Sequence, residues 1–401
     1  MSETPLHFKT ITELAELIKS KALSPVEITD AMLDRIRERD PRYKSYATVM
    51  AEQARASAQA AERAISSGNY LGPLHGVPIA VKDLCFTKGV KTMGATKALM
   101  NHVPDFDCTV VEKLNAAGAI ILGKLNLTEG AMAGYNPEFQ VPVNPWGANL
   151  WSGASSSGSG VATSAGLCFG SLGSDTGGSI RFPSAACGIV GIKPTWGRVS
   201  RYGVFALAES LDHIGPMTRS AADAGIMLQA IAGLDPNDPT SLPAAVPDML
   251  EGIDQGVRGL RIGLDEEYIS GNTDPELVES VLAGIRVMEG LGAEIVPIKI
   301  PDISGYMDAW GVLCASEALA AHTAMTPSSA IRDSGRVQIE KGTRKSINAD
   351  TKIAPAAAAS KPLWRCDRKT KTGINAAARK DIIFPARMDG PTNQNDKAWE
   401  E

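Results

Sequence analysis

Gly153-Ala-Ser-Ser-Ser-Gly-Ser-Gly160 and, shortly after it, Gly173-Ser-Asp-Thr-Gly-Gly-Ser-Ile-Arg-Phe-Pro183 decide how this chain is read. Glycine lets backbone approach a ligand closely or adopt φ > 0. Serine brings hydroxyls that serve as nucleophile or proton relay. The run Gly166-Leu-Cys-Phe-Gly-Ser-Leu-Gly173 between the clusters is strand-like, so both clusters can meet at one sheet edge. Apolar elements flank them, whereas a flexible linker is flanked by polar sequence. The Walker pattern needs Gly-Lys-Ser/Thr, which neither cluster contains, so a phosphate loop is disfavoured. A hydrolytic site built from serines is the reading that remains.

Working outward, Thr10-Ile-Thr-Glu13 and Ser24-Pro-Val-Glu27 are capping boxes that start two helices, with Pro25 at a first helical position. The second helix is expected to reach about Arg39, with Ile28, Met32, Leu33 and Ile36 on one face. A helix over 51–65 stops near Gly68, and Val77-Pro-Ile-Ala-Val-Lys82 reads as a short buried strand. Residues 109–117 read as helix and 119–122 as strand. Residues 188–192 follow the Gly/Ser region as a short apolar run. Further on, strand-like 260–264, a helix from Asp274 to about Gly290 and strand-like 293–298 repeat the alternation. Strands alternating with helices indicate an α/β fold, a largely parallel or mixed sheet covered on both faces.

The chain has 401 residues, 44% of them hydrophobic, and a net charge of −5, so nothing in the whole favours nucleic acid or an anionic membrane. The N-terminus lacks the basic-then-apolar layout of a signal peptide, and no apolar run approaches the roughly 20 residues that span a bilayer. Cys85, Cys108, Cys168, Cys187, Cys314 and Cys366 form no C-x-x-C pair, which suits a reducing cytoplasm and argues against a zinc site. The five histidines show no metal-ligand spacing, and no cofactor is called for. Residues 326–401 carry 15 Lys+Arg against 9 Asp+Glu, whereas the preceding chain is acidic. Apolar periodicity fades there. Residues 1–325 are expected to form a single-domain core, with 326–401 an atypical basic segment, truncated, frame-shifted or poorly ordered.

A serine nucleophile needs a base. No histidine stands beside the clusters in sequence, though a distant one could fold back, and the G-x-S-x-G elbow is matched only in part. The other base is lysine. Burial in an apolar strand without a clamped carboxylate destabilises the ammonium and lowers its pKa. Lys82 ends such a strand, and the adjacent Asp83 is expected to point to the opposite face.

Taken together, Val81-Lys-Asp83, Gly153-Ala-Ser-Ser-Ser-Gly158 and Asp175-Thr-Gly-Gly-Ser-Ile-Arg-Phe-Pro183 resemble the amidase signature family. Ser155 follows Lys82 by 73 residues, and Ser179 follows Ser155 by 24. Gly72-Pro-Leu-His-Gly-Val-Pro78, Gly123-Lys-Leu-Asn126 and Ser210-Leu-Asp-His-Ile-Gly-Pro216 extend the match, which covers about residues 8–325. The resemblance implies the family's large mixed twisted sheet with helices on both faces. It implies a Ser-cisSer-Lys triad of Ser179 as nucleophile, Ser155 as bridging serine after a cis peptide, and Lys82 as base. It also implies an oxyanion hole from the backbone N–H groups of Thr176, Gly177, Gly178 and Ser179, braced by Asp175 and Arg181. The implied activity is amide hydrolysis through an acyl-enzyme, extending to esters or carbamates, on a small-molecule amide, without metal, nucleic acid or membrane partner. A homodimer is compatible with it. Two alternatives stand beside it: the glutaminase component of a tRNA-dependent amidotransferase, and a catalytically dead binding or scaffold protein.

Overall fold

A computed structural model describes residues 4–132 and 134–325. The atypical basic segment 326–401 lies outside the described residues. Residue contacts group the described chain into two compact units, one of residues up to 254 joined by 302–325 and one of residues 255–301.

In the first unit, α1 (Ile11–Lys19) and α2 (Pro25–Tyr43) each start at a closed capping box. Thr10 Oγ1 accepts the Glu13 N–H at 3.1 Å, and Glu13 returns a carboxylate oxygen to the Thr10 N–H at 2.6 Å. Ser24 and Glu27 repeat the exchange. Helix α2 runs four residues beyond Arg39. It ends where Lys44 turns left-handed (φ 56°) and the Asp40 carboxylate takes the N–H groups of Ser45 and Tyr46. Then follow β1 (Tyr46–Val49), α3 (Ala51–Ser66), β2 (Pro78–Lys82), α4 (Thr109–Ala116) and β3 (Ile120–Leu125). Every residue of β2 and β3 is buried, as their near-continuous apolar runs require.

Next come α5 (Ser157–Ser164), β4 (Gly170–Asp175), α6 (Arg181–Cys187), β5 (Val190–Gly191), β6 (His213–Thr218) and α7 (Ala221–Ile231). The six strands form one mixed sheet in the order β1-β3-β2-β4-β6-β5. The inner strands β3, β2 and β4 are parallel, while β1, β6 and β5 each run antiparallel to a neighbour. Helices α5 and α6 pack together on this sheet, and α2 with α3 and α1 and α4 with α7 make further packed pairs. The α/β class and mixed sheet expected from the sequence are thus present. Several boundaries differ: besides the end of α2, the strand expected over 119–122 runs on to Leu125. The strand expected over 166–173 begins at Gly170, because Gly166 (φ 65°) ends helix α5, and it continues to Asp175.

Helix α5 itself, Ser-Gly-Ser-Gly-Val-Ala-Thr-Ser, contains two glycines, each of which costs a helix about 1 kcal/mol relative to alanine. A Cβ on Gly158 would lie 2.5 Å from Asn126 O and 2.6 Å from Ser45 O. The helix therefore passes against backbone, and only glycine fits that approach.

The second unit is a β-α-β arrangement. Strand β7 (Arg261–Leu264) pairs parallel with β8 (Glu294–Pro297), with α8 (Glu266–Ser270) and α9 (Pro275–Gly290) between them. Asp265 and Asp274 cap the two helices. Helix α10 (Ser304–Met325) belongs to the first unit, where Glu317 accepts from Ser210 and the His322 ring stacks on Phe205 with centroids 5.0 Å apart. Among the described residues no helix is long and apolar enough to cross a membrane.

Candidate active site

Lys82 closes β2 in the middle of the sheet and is 1% exposed. Its Nζ donates to Ser155 Oγ at 2.7 Å, Ser156 Oγ at 2.8 Å and Ser174 Oγ at 2.9 Å. All three acceptors are hydroxyls. Burial lowers the Lys82 pKa to about 7, against weaker upward pulls from Cys85, Asp212 and Asp175. Near neutrality the nitrogen can then exist as an amine with two donors and one lone pair, able to accept a proton from a hydroxyl.

The neighbouring carboxylate is held elsewhere. Asp83 Oδ1 lies 3.3 Å from Lys124 Nζ, and Asp83 Oδ2 accepts the Met93 N–H at 2.9 Å. Lys124 aims its shorter bonds at Cys85 O (2.6 Å) and Thr92 Oγ1 (2.7 Å). Burial pushes the Asp83 carboxyl above the usual range, with Lys124 pulling against it. Lys124→Met would leave this buried carboxylate without its cation and should cost about 3–5 kcal/mol. Adding Asp83→Asn should return part of that loss. Urea denaturation of the single and double variants measures both values, and a single variant as stable as the parent would show that the pair contributes nothing.

The peptide between Ala154 and Ser155 is cis. Ser155 and Ser156 are buried, and Ser155 O accepts the Thr128 N–H at 3.3 Å. Ser156 also donates its hydroxyl to Ser174 O and accepts the Ser174 N–H, both at 3.2 Å. Its backbone N–H reaches Ser179 O at 3.3 Å, which brings the second serine cluster beside the first. Gly153 (φ 76°) precedes this turn, and a Cβ there would sit 2.2 Å from Pro183 Cα. Gly153→Ala combines a left-handed backbone with a clash against main chain, so a loss of about 3 kcal/mol is expected. The midpoint of urea unfolding should fall with its slope unchanged.

Residues 176–179 form the turn from β4 into α6, and carboxylates hold it at two points. Asp175 Oδ1 accepts the Gly178 N–H at 2.8 Å and Arg181 Nη2 at 2.9 Å, while Oδ2 accepts Arg181 Nε at 3.0 Å and the Ile180 N–H at 3.1 Å. Burial alone would push the Asp175 carboxyl up; Arg181 and these N–H groups outweigh it and hold it below the usual range. Asp212, buried, accepts the Thr176 hydroxyl and the N–H groups of Leu207 and Ala208. Ser179 is half-buried, and its hydroxyl bonds to none of the described residues.

Of the four expected oxyanion-hole donors, Gly178 has an acceptor within its own turn. Its N–H is directed at Asp175 Oδ1, because the turn takes φ 132° there. Among the described residues no acceptor takes the N–H of Thr176, Gly177 or Ser179. The structure thus brings Lys82 and Ser155 into direct contact, sets Ser179 beside the adjoining backbone, and joins Asp175 to Arg181. Reading by sequence missed Ser156, Ser174 and Asp212. All three lay within quoted motifs, but nothing in the spacing marked the two hydroxyls as partners of Lys82 or the carboxylate as a partner of Thr176.

The sequence profile of the Amidase family matches residues 27–380, and this chain belongs to that family. It is 57% identical to AmiD of Mycobacterium tuberculosis, an amidase by name, over 238 residues, 59% of this chain and 50% of that protein. It is 47% identical to the glutamyl-tRNA(Gln) amidotransferase A-subunit of Geobacter metallireducens over 311 residues, 77% of this chain and 64% of the relative. The native peptide amidase of Stenotrophomonas maltophilia superposes with a TM-score of 0.73 at 35% identity, covering 79% of this chain and 67% of that one. The chain thus spans about half the length of AmiD and under two thirds of the amidotransferase component.

Proposed function

We propose that this chain is an amide hydrolase that works through a serine acyl-enzyme, with Ser179 as nucleophile, Ser155 as relay and Lys82 as base. The observation that carries the reading is the Lys82 side-chain nitrogen, buried among hydroxyls with no carboxylate bonded to it and 2.7 Å from Ser155 Oγ, a setting that lowers its pKa to about 7. A protonated surface lysine would have no use for that setting, whereas a base working near neutral pH needs it.

The proton inventory closes. Ser179 Oγ attacks the amide carbon as its proton passes to Ser155 Oγ, and the Ser155 proton passes to neutral Lys82. The carbonyl oxygen, now negative, faces the N–H groups of Thr176, Gly177 and Ser179. Collapse breaks the C–N bond, and Lys82 returns the proton through Ser155 to the leaving ammonia or amine. Water then attacks the ester, delivers a proton to the same relay and releases the acid as Ser179 regains its hydroxyl. An ester or carbamate of the same shape would follow the same path.

The test requires no knowledge of the substrate. Purified protein is treated with a fluorophosphonate, and the adduct is mapped by peptide mass spectrometry. An adduct on Ser179 is expected. Adduct elsewhere, or none on a chain with folded circular dichroism, would remove the reading. The similarity to an amidotransferase component supports a second reading, a glutaminase that delivers ammonia to partner proteins. Glutamine turnover that appears only with co-expressed partner proteins would choose it.

A further inference from the structure

The turn that carries Ser179 packs against aromatic side chains that the proton relay does not use. A Cβ built on Gly177 would lie 2.3 Å from Trp310 Cζ2, so the indole rests directly on that glycine. Trp310 Nε1 donates to Thr176 O at 3.1 Å, which fixes the ring in place. A Cβ on Gly178 would lie 2.3 Å from Phe182 Cε2. Trp151 extends this second surface, its ring centroid 6.1 Å from that of Phe182. The three side chains are 37%, 52% and 58% exposed, respectively for Trp310, Phe182 and Trp151. Large apolar rings left open together mark a binding surface more often than a packing fault.

Their location narrows what they can bind. A scissile carbonyl that reaches Ser179 Oγ and the N–H groups of the same turn comes beside the two glycines on which Trp310 and Phe182 rest, so the groups it carries meet these rings. Flat π faces gain most from another flat ring in offset or edge contact, and gain little from a short alkyl chain. We propose that Trp310, Phe182 and Trp151 are the specificity-determining surface of this site and that it selects amides bearing an aryl group close to the scissile bond. The proposal rests on Ser179 being the nucleophile.

Two substrate series test it, each with a constant leaving-group type. In the first, 3-phenylpropionamide is compared with hexanamide and propionamide; in the second, N-benzylacetamide with N-hexylacetamide. Active-site content is normalised in each preparation by titration with a small alkyl fluorophosphonate. In at least one series the aryl member should have a kcat/KM about tenfold above its alkyl counterpart. Trp151→Leu and Trp310→Leu keep an apolar side chain but remove the flat ring. They should shrink that ratio to within about twofold, chiefly through KM. The ratio is taken within each variant, so a general loss of activity cancels. Should Trp310→Leu fail to fold, the exposed Trp151→Leu still decides the matter. No aryl preference in either series, or a preference that survives Trp151→Leu unchanged, overturns the proposal. Failure of the alkyl fluorophosphonate to label Ser179 would instead overturn the hydrolase reading beneath it.

Discussion

Ser179→Ala is expected to leave the fold intact and to lower amide turnover by a factor on the order of 10⁵ or more, with complete loss of fluorophosphonate adduct. The side chain is half-buried and its hydroxyl makes no hydrogen bond to a described residue, so little structure depends on it. The backbone is different: Ser179 O accepts the Ser156 N–H at 3.3 Å, and alanine keeps that contact. Loss of turnover with an unchanged unfolding midpoint would therefore locate the effect in chemistry. Turnover within about tenfold of the parent would mean that another group attacks.

Replacing Lys82 is expected to have the next largest effect. Lys82→Met should slow labelling of Ser179 by about 10³-fold, the scale on which a positioned base contributes. The pH dependence carries more information than the magnitude. The base form of Lys82 is the neutral amine, and burial sets its pKa at about 7. The labelling rate of the parent should rise as pH increases through about 7 and level above it, and the rise should vanish in Lys82→Met. A rate flat from about pH 5 to 9 in the parent would rule out a base of this kind.

The same burial has a consequence for stability. Between pH about 7 and the ordinary lysine value of 10.5, the unfolded chain holds a proton on Lys82 that the folded chain does not. The unfolded state binds more protons there, so this residue makes stability rise with pH, by roughly 1.4 kcal/mol per unit. Below about pH 7 both states are protonated and the full cost of the buried ammonium is present. Lys82→Met should remove this slope and be more stable than the parent in that lower range.

Much of this was legible because it rests on local chemistry. The Thr10 and Ser24 caps, the buried strand ending at Lys82 and the helices α3, α4 and α9 follow from side chains acting within a few residues of themselves. The spaced motifs added the family. What was not legible depends on approach between distant segments. Helix α5 looks unfavourable by propensity until Gly158 is seen against the backbone of Asn126 and Ser45. Ser156 and Ser174 differ from other serines only in lying within reach of Lys82 Nζ.

The sequence by itself determined the α/β alternation, the family, and the identities of Lys82, Ser155 and Ser179 as the residues to watch, since residue type and order along the chain suffice for these. Only the tertiary structure decided which groups partner them. It shows Asp83 engaged by Lys124 rather than by Lys82, the Gly178 N–H directed to Asp175 rather than outward, and Trp310 resting on Gly177 from more than a hundred residues away. Hydrogen bonds, desolvation and ring contacts act over a few ångströms in space, and that distance between remote segments is not written in their separation along the chain.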